Sequence, residues 1–326
     1  MHKLFIIGNG FDCHAHRDKN GVGMKTMYKD FKDYILSRYP DIVYNNGVPE
    51  QCLTADHHDY DYDDDEVVGF IVQVLDLCQD DNWSTLENSL GKDIYSIFAD
   101  ELSDVDIENQ KDSEISRNIA TNENIGFAIK STFVLLKDLF TDWVTDELQN
   151  ITYKEYKKRK DIQKVLAGCS LIDMLFQVKR SYINFNYTST LEKVYGINPR
   201  NVFHLHGKAG EEICFGHGNS DEYFHTYGTW GAEDSLNYVR RYFLKDTSAV
   251  ICKYARFFKT LKDVNEIYSF GFSFSDVDMI YIDEICKHIN PSNVVWYFNK
   301  YDSENNKSYL DKIKSKGFSV KIESRW

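Results

Sequence analysis

Proline is scarce in this chain of 326 residues, with only four in all, and no Pro-rich stretch separates one part from another. Nothing in the composition therefore marks a string of domains on stiff linkers. No two cysteines are spaced C-x-x-C: the seven stand scattered at positions 13, 52, 78, 169, 214, 252 and 286. Neither a zinc cage nor a disulfide framework is indicated, and reduced thiols are expected. Uncharged runs of about 18 residues, the length that a membrane helix needs, are missing. The opening Met-His-Lys-Leu-Phe-Ile-Ile runs straight into a glycine turn, not into the apolar core and cleavage site of a signal peptide. Cytoplasmic residence away from membranes is the expectation. A basic excess is lacking too, since 51 acidic residues face 38 basic ones for a formal charge of −13. Gripping phosphate backbones is disfavoured as the main task, so nucleic acid is not an expected partner.

Apolar residues are plentiful at 42%, and aromatics reach 15% with 22 Tyr and 21 Phe. Disordered chains are poor in these residues, so the chain is globular. Residues 3–7 form a short apolar run stopped by Gly8 and Gly10, as a buried parallel strand ending in a tight turn would. A helical pattern follows over Thr26–Tyr39, with Met27, Tyr28, Phe31, Tyr34 and Ile35 on one face and Pro40 as a stop. The acidic run 56–66 reads as a solvated loop. Helical patterns then dominate to about residue 177, most clearly where Ile129, Phe133, Leu136, Phe140, Trp143 and Val144 recur at spacings of three and four. Strand patterns return at Ser181–Asn186, Asn201–Leu205, Glu266–Phe270, Asn293–Phe298 and Phe318–Ile322, several of them separated by helical stretches. The alternation predicts an α/β fold: a doubly wound, mostly parallel sheet from residues 1–40 and 178–326, with a mainly helical insertion over 41–177.

Four strand ends carry residues that apolar burial alone would not select. Gly8-Asn9-Gly10-Phe11-Asp12 follows the first strand, where phosphates can approach a backbone without Cβ atoms. The dinucleotide fingerprint is incomplete, because Cys13 stands where a third small residue belongs and no helix is expected at once. Asn184-Phe185-Asn186-Tyr187-Thr188 and His204-Leu205-His206-Gly207 end two later strands. Asn186 suits either a ligand site or the cap of the helix beginning near Ser189 or Thr190. His206 is the better site histidine, since Gly207 lets another group come close. Gly271-Phe272-Ser273-Phe274-Ser275-Asp276-Val277-Asp278 offers a backbone and hydroxyl wall ahead of a helix. Helix capping accounts for Asp276 or Asp278, but not for Gly271 and Ser273.

In this order the four segments resemble the sirtuin-like superfamily, and in detail the abortive infection protein AbiH family of bacterial anti-phage defence. Gly8-Asn9-Gly10-Phe11-Asp12 stands where sirtuins have Gly-Ala-Gly, Asn186 where they have the Asn of Thr-Gln-Asn-Ile-Asp, and His206-Gly207 where they have the catalytic His-Gly. Gly271 and Ser273 match their later Gly-x-Ser, and Thr26, Tyr28, Phe31, Trp83 and Glu87 are similar to further AbiH-type features. The resemblance implies a Rossmann-like core that binds NAD or a related adenine nucleotide and cleaves its nicotinamide–ribose bond. Asn186 and His206 would be catalytic. Gly8, Asn9, Gly10, Phe11, Asp12, Tyr187, Thr188, Gly207, Gly271, Ser273 and Asp276 would bind the nucleotide, with a phage-derived trigger as partner and a homo-oligomer compatible with the role. Two departures speak against protein deacylation: Thr188 replaces the Asp of Asn-Ile-Asp, and the four-cysteine zinc module is missing.

Breaking an N-glycosidic bond develops oxocarbenium character on the ribose, so a site must steady charge and guide a water. An Asn amide and a neutral His suit those tasks. A non-catalytic nucleotide sensor is the first alternative. A metal hydrolase is the second, resting on His14-x-His16, His57-His58 and His217. No H-E-x-x-H occurs, and the acidic run counted from Asp59 puts Asp64 and Phe70 where a calcium loop needs Gly and Glu. No metal is expected.

Overall fold

The computed structural model describes residues 1–44, 47–53, 60–77, 83–91, 101–168, 173, 175, 177–218, 229–305 and 307–324. They form two compact units, one of residues 1–27, 144–214 and 246–326, the other of residues 28–143 and 215–245.

The first unit is an α/β sandwich around a six-stranded sheet. Its strands are β1 (His2–Ile7), β2 (Lys179–Asn184), β3 (Val202–His204), β4 (Val264–Phe270), β5 (Val295–Asn299) and β6 (Ser319–Glu323). Every pairing is parallel, and the order across the sheet is β6-β5-β4-β1-β2-β3. Read from the other edge this is 3-2-1-4-5-6, the arrangement of a Rossmann-like core, in which the winding direction reverses between β1 and β4.

Alternation along β1 shows why the sheet is covered on both faces. Leu4 and Ile6 pack with Ile183, Ile267, Trp296 and Phe298 beneath the helices Ala255–Lys259, Asp276–His288 and Lys307–Ser315. Phe5 and Ile7 pack on the opposite side with Tyr182, Tyr268, Phe270, Phe11 and Tyr195. There the rings of Tyr182, Phe5, Tyr268 and Tyr297 stack in a row across four strands, with centroids 4.9, 5.1 and 4.7 Å apart. Such cross-strand pairs fix register as well as burying area.

The second unit is built on the helix Asp112–Trp143. Its stripe of Ile129, Phe133, Leu136, Phe140 and Trp143 is buried, as the spacing predicts, and Phe140 stacks on Phe215 at 4.0 Å. Asn122 clamps two backbone segments: Oδ1 accepts from Ser103 N at 2.7 Å, while Nδ2 donates to Ser103 O at 3.0 Å and to Trp230 O at 2.8 Å. A buried ion pair joins Lys245 Nζ to Glu87 Oε1 at 2.6 Å. Phe31 packs against Phe140 and Trp143, and Tyr28 OH donates to Leu75 O. These roles are structural, and the Trp83 side chain lies outside the described residues.

Part of the acidic run is ordered rather than loop. Tyr60–Tyr62 pairs antiparallel with Gln51–Leu53, and Asp64 begins the helix Asp64–Leu77. Asp63 Oδ1 accepts from the amides of Asp65 and Glu66 at 3.0 and 3.1 Å. Acid residues at a helix start satisfy its free amides and its dipole, which explains the concentration of carboxylates there. Residues 56–59, with His57 and His58, lie outside the described residues. Among the described residues no helix is long and apolar enough to cross a membrane.

Candidate functional site

The register brings the four singled-out segments to one edge of the sheet. Ile7 pairs with Asn184 and with Phe270, and Asn184 pairs with His204, so β1, β2, β3 and β4 end level. Everything immediately beyond them sits at the carboxyl edge, where open α/β sheets take their ligands.

Gly8, Gly10 and Gly271 meet at the reversal point. Gly8 N donates to Phe270 O at 3.0 Å, and Gly10 N to Gly271 O at 3.2 Å. A Cβ on Gly8 would lie 2.3 Å from Gly271 O, and one on Gly10 would lie 2.7 Å from Gly271 Cα. Gly271 itself adopts φ +63, a left-handed conformation that favours glycine. The glycines are therefore required so that two loops can touch. Contrary to the reading of the sequence, a helix does start at once, over Asn9–His14 with Gly8 as its N-cap. Phe11 turns into the core, fully buried and edge-on to Phe270 at 5.4 Å. Asn9 Oδ1 accepts from Thr26 Oγ1 at 2.6 Å.

The two asparagines divide their work. Asn184 folds its own loop, accepting from Asn186 N at 3.0 Å and donating to Thr188 O at 3.3 Å. Asn186 does not cap the following helix; its Nδ2 donates to Gly8 O at 3.1 Å and ties the end of β2 to the end of β1. Thr188 Oγ1 donates to Asp12 Oδ2 at 2.5 Å and lies 3.0 Å from Thr190 Oγ1. The carboxyl group missing at position 188 is thus present beside it, on Asp12. Burial pushes the Asp12 carboxyl up to about 6 against the pull of the Thr188 and Thr190 hydroxyls, and its Oδ1 has no hydrogen-bond partner among the described residues.

The histidines also differ. His204 has both ring nitrogens engaged, Nδ1 3.3 Å from Asn186 O and Nε2 2.9 Å from Glu192 Oε1. His206 places Nε2 2.9 Å from Asp278 Oδ1, and Ser275 Oγ donates to Asp278 Oδ2 at 3.2 Å. The His206 ring stands edge-on to Phe185 at 5.0 Å. Gly207 has φ +79, and a Cβ there would lie 2.0 Å from Glu212 O, so this glycine shapes its own turn. Tyr187 braces the same turn, donating from its hydroxyl to Cys214 O at 3.0 Å and accepting from Ala209 N at its carbonyl at 2.7 Å.

Asp276, expected beside the nucleotide, instead points outward to Lys312 at 3.1 Å with its side chain 87% exposed. Asp278 is the inward acid. The signal was in the sequence: positions 278, 281, 282 and 285 form one helical stripe, and Tyr281, Ile282 and Ile285 are buried with Asp278. Ser273 is half-buried and makes no hydrogen bond among the described residues. Asp302, which no pattern flagged, holds the Gly271 turn by accepting from Gly271 N at 2.8 Å. Burial pushes its carboxyl up to about 6, opposed by the Gly271 amide and the Asn299 side chain.

The described histidines behind the metal reading have separate surroundings, and His57 and His58 lie outside the described residues. His14 is exposed against the Tyr301 ring, while His16 is fully buried among Phe11, Tyr156 and Tyr195. His217 Nε2 lies 3.0 Å from Arg240 O. Among the described residues no group of three or more His, Cys, Asp or Glu side chains is placed to hold a metal ion.

A family model described as bacteriophage abortive infection AbiH matches residues 4–300. No curated protein matches the chain.

Proposed function

We propose, since this chain belongs to the bacteriophage abortive infection AbiH family, that it defends its host by binding NAD or a related adenine nucleotide and cleaving the nicotinamide–ribose bond. The observation that carries the reading is the strand order 3-2-1-4-5-6 with Gly8, Gly10 and Gly271 at its reversal point. That point is where sheets of this order take dinucleotides. Asn186 and His206 stand at the same edge.

In this reading the Asn186 amide, held by Gly8 O through Nδ2, offers Oδ1 to a ribose hydroxyl or to the attacking water. The water oxygen bonds to the anomeric carbon as the bond to nicotinamide breaks, and the departing ring keeps the electron pair. The water's proton passes to His206 as general base. Gly8, Gly10, Gly271 and Ser273 contribute the backbone and hydroxyl edge near the phosphates, with Asp12 and Thr188 behind it. Toxic loss of NAD demands latency, so a phage-derived trigger and a change of assembly accompany this reading.

Incubating the purified protein with NAD, with and without phage lysate, and separating the products tests it. Appearance of nicotinamide and ADP-ribose in equal amounts supports cleavage. Saturable binding without products makes the protein a sensor, and neither binding nor products in any condition overturns the nucleotide reading.

A further inference from the structure

We infer that Asp278 is a positioning residue for His206, fixing the ring so that Nδ1 is the nitrogen presented to a bound nucleotide. The inference rests on the reading of His206 as general base, and its geometric half can be tested separately. Both side chains are buried, 6% exposed for His206 and 7% for Asp278, with Nε2 and Oδ1 2.9 Å apart. A carboxylate only accepts, so the ring nitrogen that faces it carries the hydrogen. In a neutral imidazole the other nitrogen, Nδ1, then holds the lone pair.

Capping does not explain this acid. Ser275 occupies the N-cap position, and the amides of Asp278 and Met279 both donate to Ser275 O at 3.0 Å, so neither of these amides is held by the Asp278 carboxyl group. The Asp278 carboxylate instead spends one oxygen on His206 and the other on Ser275 Oγ. Burial of the stripe Tyr281, Ile282 and Ile285 fixes the rotation of the helix Asp276–His288, and with it the place of the carboxylate. Phe185 holds the ring edge-on from the side. When Nδ1 takes a proton from the attacking water, the adjacent carboxylate steadies the imidazolium that forms.

The test is Asp278→Asn, which keeps size and removes charge, compared with wild type in two readouts. Nitrogen-15 spectra of labelled histidine report which ring nitrogen of His206 bears the hydrogen. Wild type should show the Nε2–H form; the variant should show a mixture or the Nδ1–H form. In the NAD assay the variant should lose about 10²-fold or more in turnover while KM stays within about threefold, because loss of tautomer control acts on chemistry and not on binding. An unchanged tautomer together with turnover within about twofold overturns the inference. If Asp278→Asn fails to fold, the wild-type spectrum decides: the Nε2–H form supports the inference, and the Nδ1–H form overturns it. If wild type yields no nicotinamide at all, the cleavage reading fails while the spectrum still decides the role of Asp278.

Discussion

Gly8 and Gly271 touch backbone to backbone: a Cβ on Gly8 would stand 2.3 Å from the Gly271 carbonyl oxygen, and one on Gly271 would stand 2.4 Å from Gly10 Cα. Neither neighbour is a flexible side-chain tip, so no small shift relieves the clash. Gly8→Val should therefore lower stability by about 2–5 kcal/mol and lose nucleotide binding with it. Thermal melts with and without NAD check this. A variant that melts like wild type and fails only to bind would show that the glycine serves the ligand alone.

His206 and Asn186 should separate in their effects. His206→Gln keeps an amide able to donate to Asp278, so the melting temperature should hold while nicotinamide formation falls by about 10²–10⁴-fold. Asn186→Ala removes the donor to the buried Gly8 carbonyl and should cost about 1–3 kcal/mol of stability as well as activity. Urea titrations beside product assays distinguish the two, and full turnover by His206→Gln would remove the histidine from the chemistry.

Acidification should pull the fold in two directions over one window. Burial lowers His2 and His16 to about 4, with the Lys179 charge adding to the effect at His2 and the Arg17 charge at His16. The unfolded chain then binds protons at these two first, so stability drains as pH falls from about 6.5 to 4. Burial raises Asp12 and Asp302 to about 6. Here the folded chain binds protons first, so stability rises as pH falls from about 6 to 4. Asp12→Asn should make the acid loss steeper than in wild type, and His16→Phe should make it shallower. Denaturation midpoints across that range measure both slopes; identical slopes in all three proteins would refute the opposition.

The ion pair of Lys245 and Glu87 gives a separate test in the helical unit. Removing one member, as in Lys245→Met, leaves a buried charge and should cost about 3–5 kcal/mol. Adding Glu87→Leu to that variant should recover most of the loss, because the pair is shielded from water at 0% and 8% side-chain exposure. Equal damage from the single and double variants would show that packing dominates.

The sheet was readable because its strands are short apolar runs placed between helical stretches, and each lies within about two residues of its expected ends. The four site segments were readable for the same reason, since polar residues at strand ends have no place in a core. Neighbours across space were not. Asp302 carries no periodic signal, and its service to Gly271 exists only once β4 and β5 pair. Asp276 and Asp278 suit a helix start equally well in sequence, and only the helical stripe with Tyr281, Ile282 and Ile285 marks the second as the inward acid. The segment 229–245 joins the unit of the helix Asp112–Trp143 through contacts such as Lys137 Nζ with Tyr242 O at 2.6 Å, which sequence distance hides.

Placing β1 in the middle of the sheet also sets a timetable. This strand leaves the ribosome before either neighbour, and its partners at Asn184 and Phe270 are made much later. Until then a two-sided apolar strand has both edges open, a state that invites capture by chaperones or by other nascent chains. The four strand ends cannot meet before residue 271 has emerged, so a prematurely terminated product lacks the Gly271 turn that closes on Gly8 and Gly10. On the cleavage proposed above, a cell is thereby spared poisoning by its own unfinished copies.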